Sequence, residues 1–468
     1  MDTTRLVVIL FAVLYFAFII FTRKKGNFEE FAVAGRSLGF FFIFSSICAS
    51  YIGPGWTLGL TREGFSSGMF MSFIIPLSGL GLMIVGMVLV PAIRQKFQTS
   101  YSLGDLVGGP NGHNHRWVHL LTGLVSLLFV SALTIAMSYA GGELVNNVFG
   151  FSKEWSIVII TTIVIVYSYF GGIRATIQTD AIQFVHFIIL IPVLACLLIL
   201  DERFSWNEYL SVAGHKTVLA SDAQTAKSIG AMVVLWFLGA AGIDSGGLGR
   251  YLAARNAHVA RNATVASGLF IGIWIILMVF IGSAGFYLYP ELAGDDQVLL
   301  HLASNNFSGI IFGIFIIAMI GVVMSSQDTL LNSASVLFSE DIISNLFHNV
   351  GENKKLALAK SYTIFLGIIS ILVASKLTSV LDTIMIITEY YIPVIIPVVI
   401  FSVLKTKCYW QSAMFSMLIG FICYIAWDNF GYPEAIPTLI FALVCNISAY
   451  LLTDFYMNRK RYLQQQFE

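Results

Sequence analysis

Two hydroxyl groups and a carboxylate lie inside a long apolar segment of this chain, which reads VVMSSQDTLLNS over residues 322–333. An ionised Asp at the centre of a membrane helix costs about 2.5–3.5 kcal/mol on insertion scales and therefore requires a partner. On a helix, Ser325, Asp328 and Thr329 are spaced i, i+3 and i+4, so their oxygens share one face. No Lys or Arg lies within twenty residues of Asp328 along the chain. An oxygen-rich face of this kind suits a small hard cation, which indicates ion-coupled transport.

The composition of the chain is that of a membrane protein. Of its 468 residues, 57% are hydrophobic and 11% are charged, whereas about 25% of residues are charged in soluble domains. Lys plus Arg and Asp plus Glu each number 26, so the net charge gives no reason to expect a nucleic acid partner. The five cysteines lack metal-ligand spacing, and we expect neither zinc nor disulfides. No organic cofactor is predicted.

Thirteen apolar segments have the length of about 17–30 residues that a hydrocarbon core of about 30 Å requires. They run over 4–22, 40–60, 69–93, 117–146, 155–170, 181–200, 229–252, 263–288, 308–337, 359–375, 379–404, 411–429 and 435–456. The sequence therefore predicts an all-α polytopic membrane protein of about thirteen transmembrane helices. The loops on one side hold nineteen of the 26 Lys and Arg, Arg250 among them. This bias predicts an amino terminus outside and a carboxyl terminus inside.

Two of the segments are interrupted by residues that break helices. Gly53-Pro54-Gly55 interrupts the second segment, and five glycines surround Asp244 in the seventh. Breaks at corresponding positions of two halves indicate a midplane binding site, because they free backbone carbonyls and helix ends. The chain would then be one transporter domain, 1–468, with repeats over 40–200 and 229–404, a peripheral helix over 4–22 and additional helices over 411–456. The alternative is that these residues serve close helix packing.

Four motifs follow one another along the chain. They are FEEFAVAGRS (28–37), GGIRAT with Thr179-Asp180 and Gln183 after it (171–183), GID with RYLAAR after it (242–255), and SS through LNS to Phe338 and EDI (325–342). In this order the motifs resemble those of the sodium:solute symporter family, whose members include sodium/glucose, sodium/proline and sodium/sialic acid carriers. The resemblance implies a leucine-transporter-like fold with inverted repeats and alternating access, in the inner or plasma membrane.

The resemblance also implies where sodium, the expected coupling ion, and the solute bind. The principal sodium site would comprise the backbone carbonyls of Ile43, Ser46 and Val322 and the hydroxyls of Ser325 and Ser326. A second cation site would comprise Asp180, Ser325, Asp328 and Thr329, although Asp180 could instead cap the sixth helix. The substrate candidates are Ser50, Trp56, Ser72, Trp236, Asp244, Gln327, Glu389 and Tyr390. Some of the aromatic residues could instead belong to interface belts, and Ser72 could bond its own helix backbone.

Together these features predict a secondary active transporter that moves sodium with a small neutral or zwitterionic solute, an amino acid or a sugar. The central part of each segment lacks Lys and Arg, which argues against a multiply charged anion. Two alternatives stay open: a proton-coupled carrier in which Asp328 or Glu389 carries the proton, and a nutrient-sensing receptor without its own signalling domain. No catalytic constellation is visible, so the sequence predicts no enzyme. It gives no indication of an oligomeric state.

Overall fold

The fold, taken from a computed structural model, is helical throughout the residues that it describes. These are 5–6, 8–10, 26–216, 223–239, 241–292, 294, 297–347, 350–377, 379–429 and 436–467. In these ranges there is no β-strand, only an isolated bridge between Leu38 and Ala254. The all-α prediction is therefore confirmed for the described residues. The predicted first segment, 4–22, lies outside them except for residues 5, 6 and 8–10.

The helices follow one another along the chain with short connections. They are α1 (Phe28–Val33), α2 (Phe40–Tyr51), α3 (Leu60–Ser67), α4 (Leu77–Lys96), α5 (Leu103–Gly108), α6 (Arg116–Phe149), α7 (Lys153–Ile199), α8 (Trp206–Lys216), α9 (Ala223–Gly239), α10 (Ser245–Ala253), α11 (Ala257–Leu288), α12 (Val298–Asn306), α13 (Gly309–Val336), α14 (Ser344–Leu346), α15 (Glu352–Ala374), α16 (Val380–Leu404), α17 (Trp410–Asn429) and α18 (Thr438–Phe467). Short 3-10 turns over Ala34–Arg36 and Gly68–Phe73, and π turns over Gly55–Gly59 and Leu337–Ile343, join some of them.

Nine of the described helices are long and apolar enough to cross a membrane, or ten if the bent pair Phe40–Tyr51 and Gly55–Phe73 counts as one span. The predicted segments 155–170 and 181–200 fall on two helices, which follow each other directly within the range of α7. They meet at a sharp break at Gly172, which has φ 57° and ψ −167°. A Cβ at Gly172 would lie 2.8 Å from the Phe31 ring, so only glycine fits there. The total of thirteen transmembrane helices stays a prediction.

Both predicted helix breaks are present. The chain bends by 64° between α2 and the π turn that begins at Gly55. Pro54 immediately precedes that turn and has no N–H to continue the ladder of hydrogen bonds. In the seventh segment, α9 ends at Gly239 and α10 begins at Ser245. Asp244 caps α10, because its side chain accepts a hydrogen bond from the Gly247 N–H.

Four helices converge on the interior beside these breaks. Helix α2 packs against α7 and α13, and α10 packs against α2 and α13. In the most apolar stretch of α13, 67% of the residues are buried inside the protein, which is the largest share among the described membrane helices. The polar residues of α13 therefore face other helices rather than lipid, as the cost of exposing them to hydrocarbon requires.

Candidate functional site

The two helix breaks open onto one cavity of about 130 Å³. Its walls include the apolar side chains of Phe129, Leu235 and Ile384 together with Trp56 and Trp236. The two indole rings contact each other edge to face, with their centroids 5.6 Å apart. Each ring therefore supports the other, which suits a preformed wall of a binding site.

Asp244 is the acidic group of this cavity. Its Oδ1 accepts a hydrogen bond of 2.9 Å from the Gly247 N–H, and its Oδ2 accepts one from the Tyr51 hydroxyl. A carboxylate offers about four acceptor positions, so two of them stay available after these bonds. Since Tyr51 and Asp244 both line the cavity, the free positions can serve a bound solute.

The serine pair of α13 lies against the end of α2. The Ser325 hydroxyl donates to the Ala49 carbonyl at 2.9 Å, and the Ser326 hydroxyl donates to the Ser50 carbonyl at 3.0 Å. Both hydroxyls also lie within 3.3 Å of the Val322 carbonyl. The last carbonyls of a helix have no N–H partner in that helix. The break at Gly53 therefore supplies the two α2 carbonyls that the hydroxyls contact.

The structure does not bring the predicted Ile43 and Ser46 carbonyls to the serine pair. They lie six and three residues before Ala49, about 9 and 4.5 Å along the helix axis. At these positions within α2 a carbonyl accepts from the N–H four residues further on. The Ser46 hydroxyl instead donates to Asp180 at 2.5 Å. The prediction is wrong for these two carbonyls because it counted too far back from the break.

Arg250 reaches the centre of the bundle, although the sequence places it in an inner loop. Its side chain is 1% exposed. Its Nε donates to the Ser46 hydroxyl at 2.8 Å. The two hydrogens of one terminal nitrogen are shared among Asp180 at 3.1 Å and the hydroxyls of Ser50 and Thr329 at 2.5 Å each. The loop assignment of Arg250 is wrong because α10 continues to Ala253. The oxygen-rich face of α13 therefore has a cation beside it, contributed by another helix.

Two residues of the predicted second cation site, Asp180 and Thr329, contact this guanidinium. Asp328 accepts a hydrogen bond of 2.7 Å from the Tyr167 hydroxyl, and Thr329 lies 3.4 Å from the same carboxylate. Asp180 Oδ1 accepts no hydrogen bond from any residue that the structure describes. The alternative role of Asp180 as a helix cap is wrong, because Asp180 lies inside α7, more than two turns beyond Gly172.

Half of the substrate candidates line the cavity. Ser50, Trp56, Trp236 and Asp244 do so, whereas Ser72, Gln327, Glu389 and Tyr390 do not. The Ser72 hydroxyl donates to the Met69 carbonyl at 2.6 Å, as its alternative interpretation requires. The Gln327 amide donates to the Ser138 hydroxyl at 2.7 Å. Successive side chains of a helix point in different directions, so Gln327 faces α6 whereas its neighbour Ser326 faces α2.

Glu389 and Tyr390 lie on another side of α16. The Glu389 carboxylate accepts a hydrogen bond of 3.1 Å from the Tyr424 hydroxyl of α17. The Tyr390 ring packs on the Tyr424 ring at 4.4 Å and is 42% exposed. The cavity instead receives Ile384, Met385 and Thr388 from α16. Glu389 is therefore not the unpaired acid that the sequence indicates.

Several cavity residues do not follow from the sequence reasoning, and Tyr51, Arg250 and Phe129 are examples. Tyr51 directly precedes the break, and this position alone could have identified it. Arg250 lies six residues after Asp244, close enough to share its helix. Phe129 stands in an apolar run of α6 without any local signal, and only the packing of α6 brings it to the cavity.

A second polar cluster lies away from the cavity. Oxygen and nitrogen atoms of Asp105, His119 and Asp341 all lie within 4.8 Å of one another. The His119 Nε2 is 2.7 Å from Asp341 Oδ1, and Asp341 also accepts from the Ser102 hydroxyl and from the Gly104 N–H at 3.2 Å. These bonds join α5 and α6 to the turn after α13, which gives the cluster a structural role.

Comparison of sequences identifies relatives that match nearly the whole chain. A sequence profile of the sodium:solute symporter family matches residues 31–420. The chain is 28% identical over 462 residues to the sodium/proline symporter of Escherichia coli strain K12, covering 93% of this chain and 90% of that protein. It is 24% identical over 470 residues to the high-affinity proline transporter PutP of Bacillus subtilis strain 168, covering 95% and 94% of the two chains.

Comparison of structures places the fold among known transporters. A sodium-coupled sialic acid symporter in its substrate-bound outward-open state superposes with a TM-score of 0.83 at 16% identity, covering 97% of both chains. MhsT in complex with L-phenylalanine superposes with a TM-score of 0.59 at 13% identity, covering 90% of this chain and 99% of the other. The leucine-transporter-like fold is therefore confirmed. With the profile match over most of its length, the chain belongs to the sodium:solute symporter family.

Proposed function

We propose that the protein is a sodium-coupled symporter of a small zwitterionic amino acid, with L-proline as the first solute to test. The observation that carries this proposal is the convergence of the serine pair, the end of α2 and the Asp244 cavity at the same two helix breaks. The relatives described above as sodium/proline symporters support the choice of solute. As a multi-pass protein of this kind, it would work in the plasma or inner membrane.

Sodium would bind between α2 and α13. Its ligands would be the carbonyls of Ala49, Ser50 and Val322 and the hydroxyls of Ser325 and Ser326. All five are hard oxygen ligands, which suit a hard cation. Each hydroxyl can turn its hydrogen away and present a lone pair, because a serine hydroxyl both donates and accepts. A bound ion would then join α13 to the broken helix and favour the conformation in which the solute site is complete.

The solute ammonium group would bind Asp244. Proline carries two N–H donors on its charged nitrogen, and Asp244 retains two acceptor positions. The solute carboxylate would face Gly55, where the helix restarts and the positive end of the helix dipole favours a negative charge. Gly53 and Gly55 both line the cavity, so backbone groups can approach a ligand closely. This arrangement matches the two opposite charges of a zwitterion.

A sugar fits the cavity less well than an amino acid. The hydroxyls of Ser50, Ser326 and Thr329 are already bonded to other protein groups, and the Thr388 hydroxyl donates to its own helix at 2.6 Å. The hydrogens of these hydroxyls are therefore not available to a sugar, and part of the hydrogen bonds that sugar hydroxyls make to water would be lost without replacement, which is costly.

We also propose the predicted topology, with an outer amino terminus, thirteen helices and repeats over 40–200 and 229–404. Contacts between loops predicted on the inner side support it. Arg36 donates to the Ser100 carbonyl at 2.8 Å, and Arg94 donates to the Ala254 carbonyl at 3.0 Å. These residues come from separate connections, so their contacts require that the connections lie at the same end of the bundle.

The experiment that tests this function is uptake of radiolabelled L-proline into proteoliposomes. We expect uptake with an inward sodium gradient and none with an equal potassium gradient. Unlabelled amino acids and sugars would be added as competitors, and amino acids alone should compete. Sodium-dependent uptake that only a sugar inhibits would overturn the solute. Uptake driven by a pH gradient without sodium would overturn the coupling ion and favour the proton-coupled alternative.

A further inference from the structure

We propose that Arg250 is a resident cation in the place of a second sodium ion, so that this carrier binds one sodium ion per cycle. The inference rests on the proposed sodium symport and concerns its stoichiometry. The sequence predicts a second cation site from the oxygens of Asp180, Ser325, Asp328 and Thr329. That prediction takes no account of Arg250, which comes from a different helix.

The guanidinium uses two of the four ligands that the predicted second sodium site would need. It donates to Asp180 Oδ2 and to the Thr329 hydroxyl, which are two of the predicted ligands. It also donates to the Ser50 hydroxyl and, at 3.0 Å, to the Gly246 carbonyl. Arg presents its donors in a rigid fork and does not lose its charge in proteins. A sodium ion on these oxygens would lie within a few ångström of the guanidinium, and the repulsion between the two positive charges makes the two occupants exclude each other.

The charges of the buried cluster leave room for one further cation. Asp180 and Asp328 are both fully buried, and Arg250 is 1% exposed. Two carboxylates and one guanidinium leave one uncompensated negative charge, which is expensive in a bundle interior. The proposed sodium site at Ser325 has no charged ligand of its own, and Asp328 lies one helical turn further on. One sodium ion there would neutralise the cluster, whereas two would leave a positive charge.

Removal of the guanidinium should uncover the second site. Asp180 Oδ1 already lacks a hydrogen-bond partner among the described residues. Without Arg250, the Asp180 and Asp328 carboxylates and the Thr329 hydroxyl would face one another with no cation between them. Such a set of hard oxygen ligands carries two negative charges and attracts sodium. The variant Arg250→Gln keeps a similar length and some donors but removes the charge.

The experiment is equilibrium binding of radioactive sodium to the purified protein in detergent, without any solute. The wild type should bind one sodium ion per chain with a Hill coefficient of about 1. Arg250→Gln should bind two. The conservative variant Arg250→Lys keeps the charge and should bind one. Arg255→Gln is the matched control, because Arg255 lies in the same stretch but is exposed, and it should also bind one.

The outcomes separate this inference from the proposed function. Binding of two sodium ions to the wild type would overturn the role of Arg250 as a resident cation but would leave the proposed sodium symport intact. A folded Arg250→Gln variant that still binds one sodium ion would have the same consequence. If Arg250→Gln fails to fold, the count on the wild type and on Arg250→Lys still decides. Absence of sodium binding in every variant, with potassium equally ineffective, would overturn the proposed function itself. Because no solute is present, an incorrect choice of L-proline does not affect the result.

Discussion

Asp244→Asn should separate solute binding from sodium binding and from folding. Asn is as good a helix N-cap as Asp, so the bond between the side chain and the Gly247 N–H, now 2.9 Å, can persist. The amide can also donate to the Tyr51 oxygen, because a phenol hydroxyl accepts as well as donates. The fold of α10 should therefore survive. The change removes the negative charge and the acceptor positions that would bind an ammonium group.

The expected loss follows from the hydrogen bonds to the solute. Hydrogen bonds to charged groups contribute about 1.5–3 kcal/mol. Since each 1.4 kcal/mol is a factor of ten in affinity, the Kd for L-proline should rise about 10- to 150-fold. The sodium site should change little, because its proposed ligands come from α2 and α13. Binding would be measured with radiolabelled L-proline at saturating sodium, and sodium binding would be measured separately.

The matched control for this substitution is Asp382→Asn. Asp382 is also an acid in the first turn of a helix, α16, but it is exposed to the surroundings of the protein. The substitution Asp382→Asn should leave the Kd for L-proline within twofold of the wild-type value. If Asp244→Asn is folded and also stays within twofold, the assignment of the ammonium group to Asp244 is refuted.

Three further substitutions have distinct expected results. In Gly53→Ala, the new Cβ would lie 2.7 Å from the Ser326 Oγ and would displace this proposed sodium ligand; the Kd for sodium should therefore rise at least about tenfold, which corresponds to about 1.4 kcal/mol, in equilibrium binding. Gly55→Ala places a Cβ 2.9 Å from the Ile384 side chain, at the proposed carboxylate position; it should weaken L-proline binding and leave sodium binding unchanged. Glu389→Gln should leave sodium-driven uptake and its pH profile unchanged, because this carboxylate faces α17.

Gly230→Ala is the control for both glycine substitutions, since a Cβ there meets no atom within 4 Å. It should change neither Kd. Equal effects of Gly53→Ala and Gly55→Ala on sodium would contradict the separation of the two sites. A loss of pH dependence in Glu389→Gln would contradict the placement of Glu389 outside the transport path and would favour proton coupling.

Local patterns in the sequence predict the elements of this fold well. Apolar segment length identifies the described membrane helices, because the thickness of the bilayer sets that length. Gly and Pro identify both breaks, because Pro removes a donor and Gly leaves the backbone unrestrained. The start of the helix after Gly172 is the exception. That helix begins about eight residues before the predicted segment 181–200, because residues 173–180 are partly polar and yet can continue a helix.

The candidate site is predicted less completely because its contacts join distant parts of the chain. The hydroxyls of Ser325 and Ser326 follow from helix periodicity, but the carbonyls that they contact depend on where α2 ends. Arg250 is 70 residues from Asp180, and the bond between them is not visible in any local window. Glu389 has a partner, Tyr424, that lies 35 residues further on. The sequence alone therefore assigns Arg250 to a loop, although it is buried, and takes Glu389 to be unpaired, although it has a hydrogen-bond partner.

The most direct test of sodium-coupled symport is the thermal stability of the purified protein in sodium and in potassium, with and without L-proline. At a hundredfold excess over Kd, a ligand adds about 2.7 kcal/mol to the free energy of unfolding. We expect stabilisation by sodium but not by potassium, and by L-proline only when sodium is present. Ser325→Ala with Ser326→Ala should abolish both effects, whereas Ser335→Ala, a buried serine of α13 bonded to Thr363, should retain them. Equal stability in sodium and potassium would contradict the account.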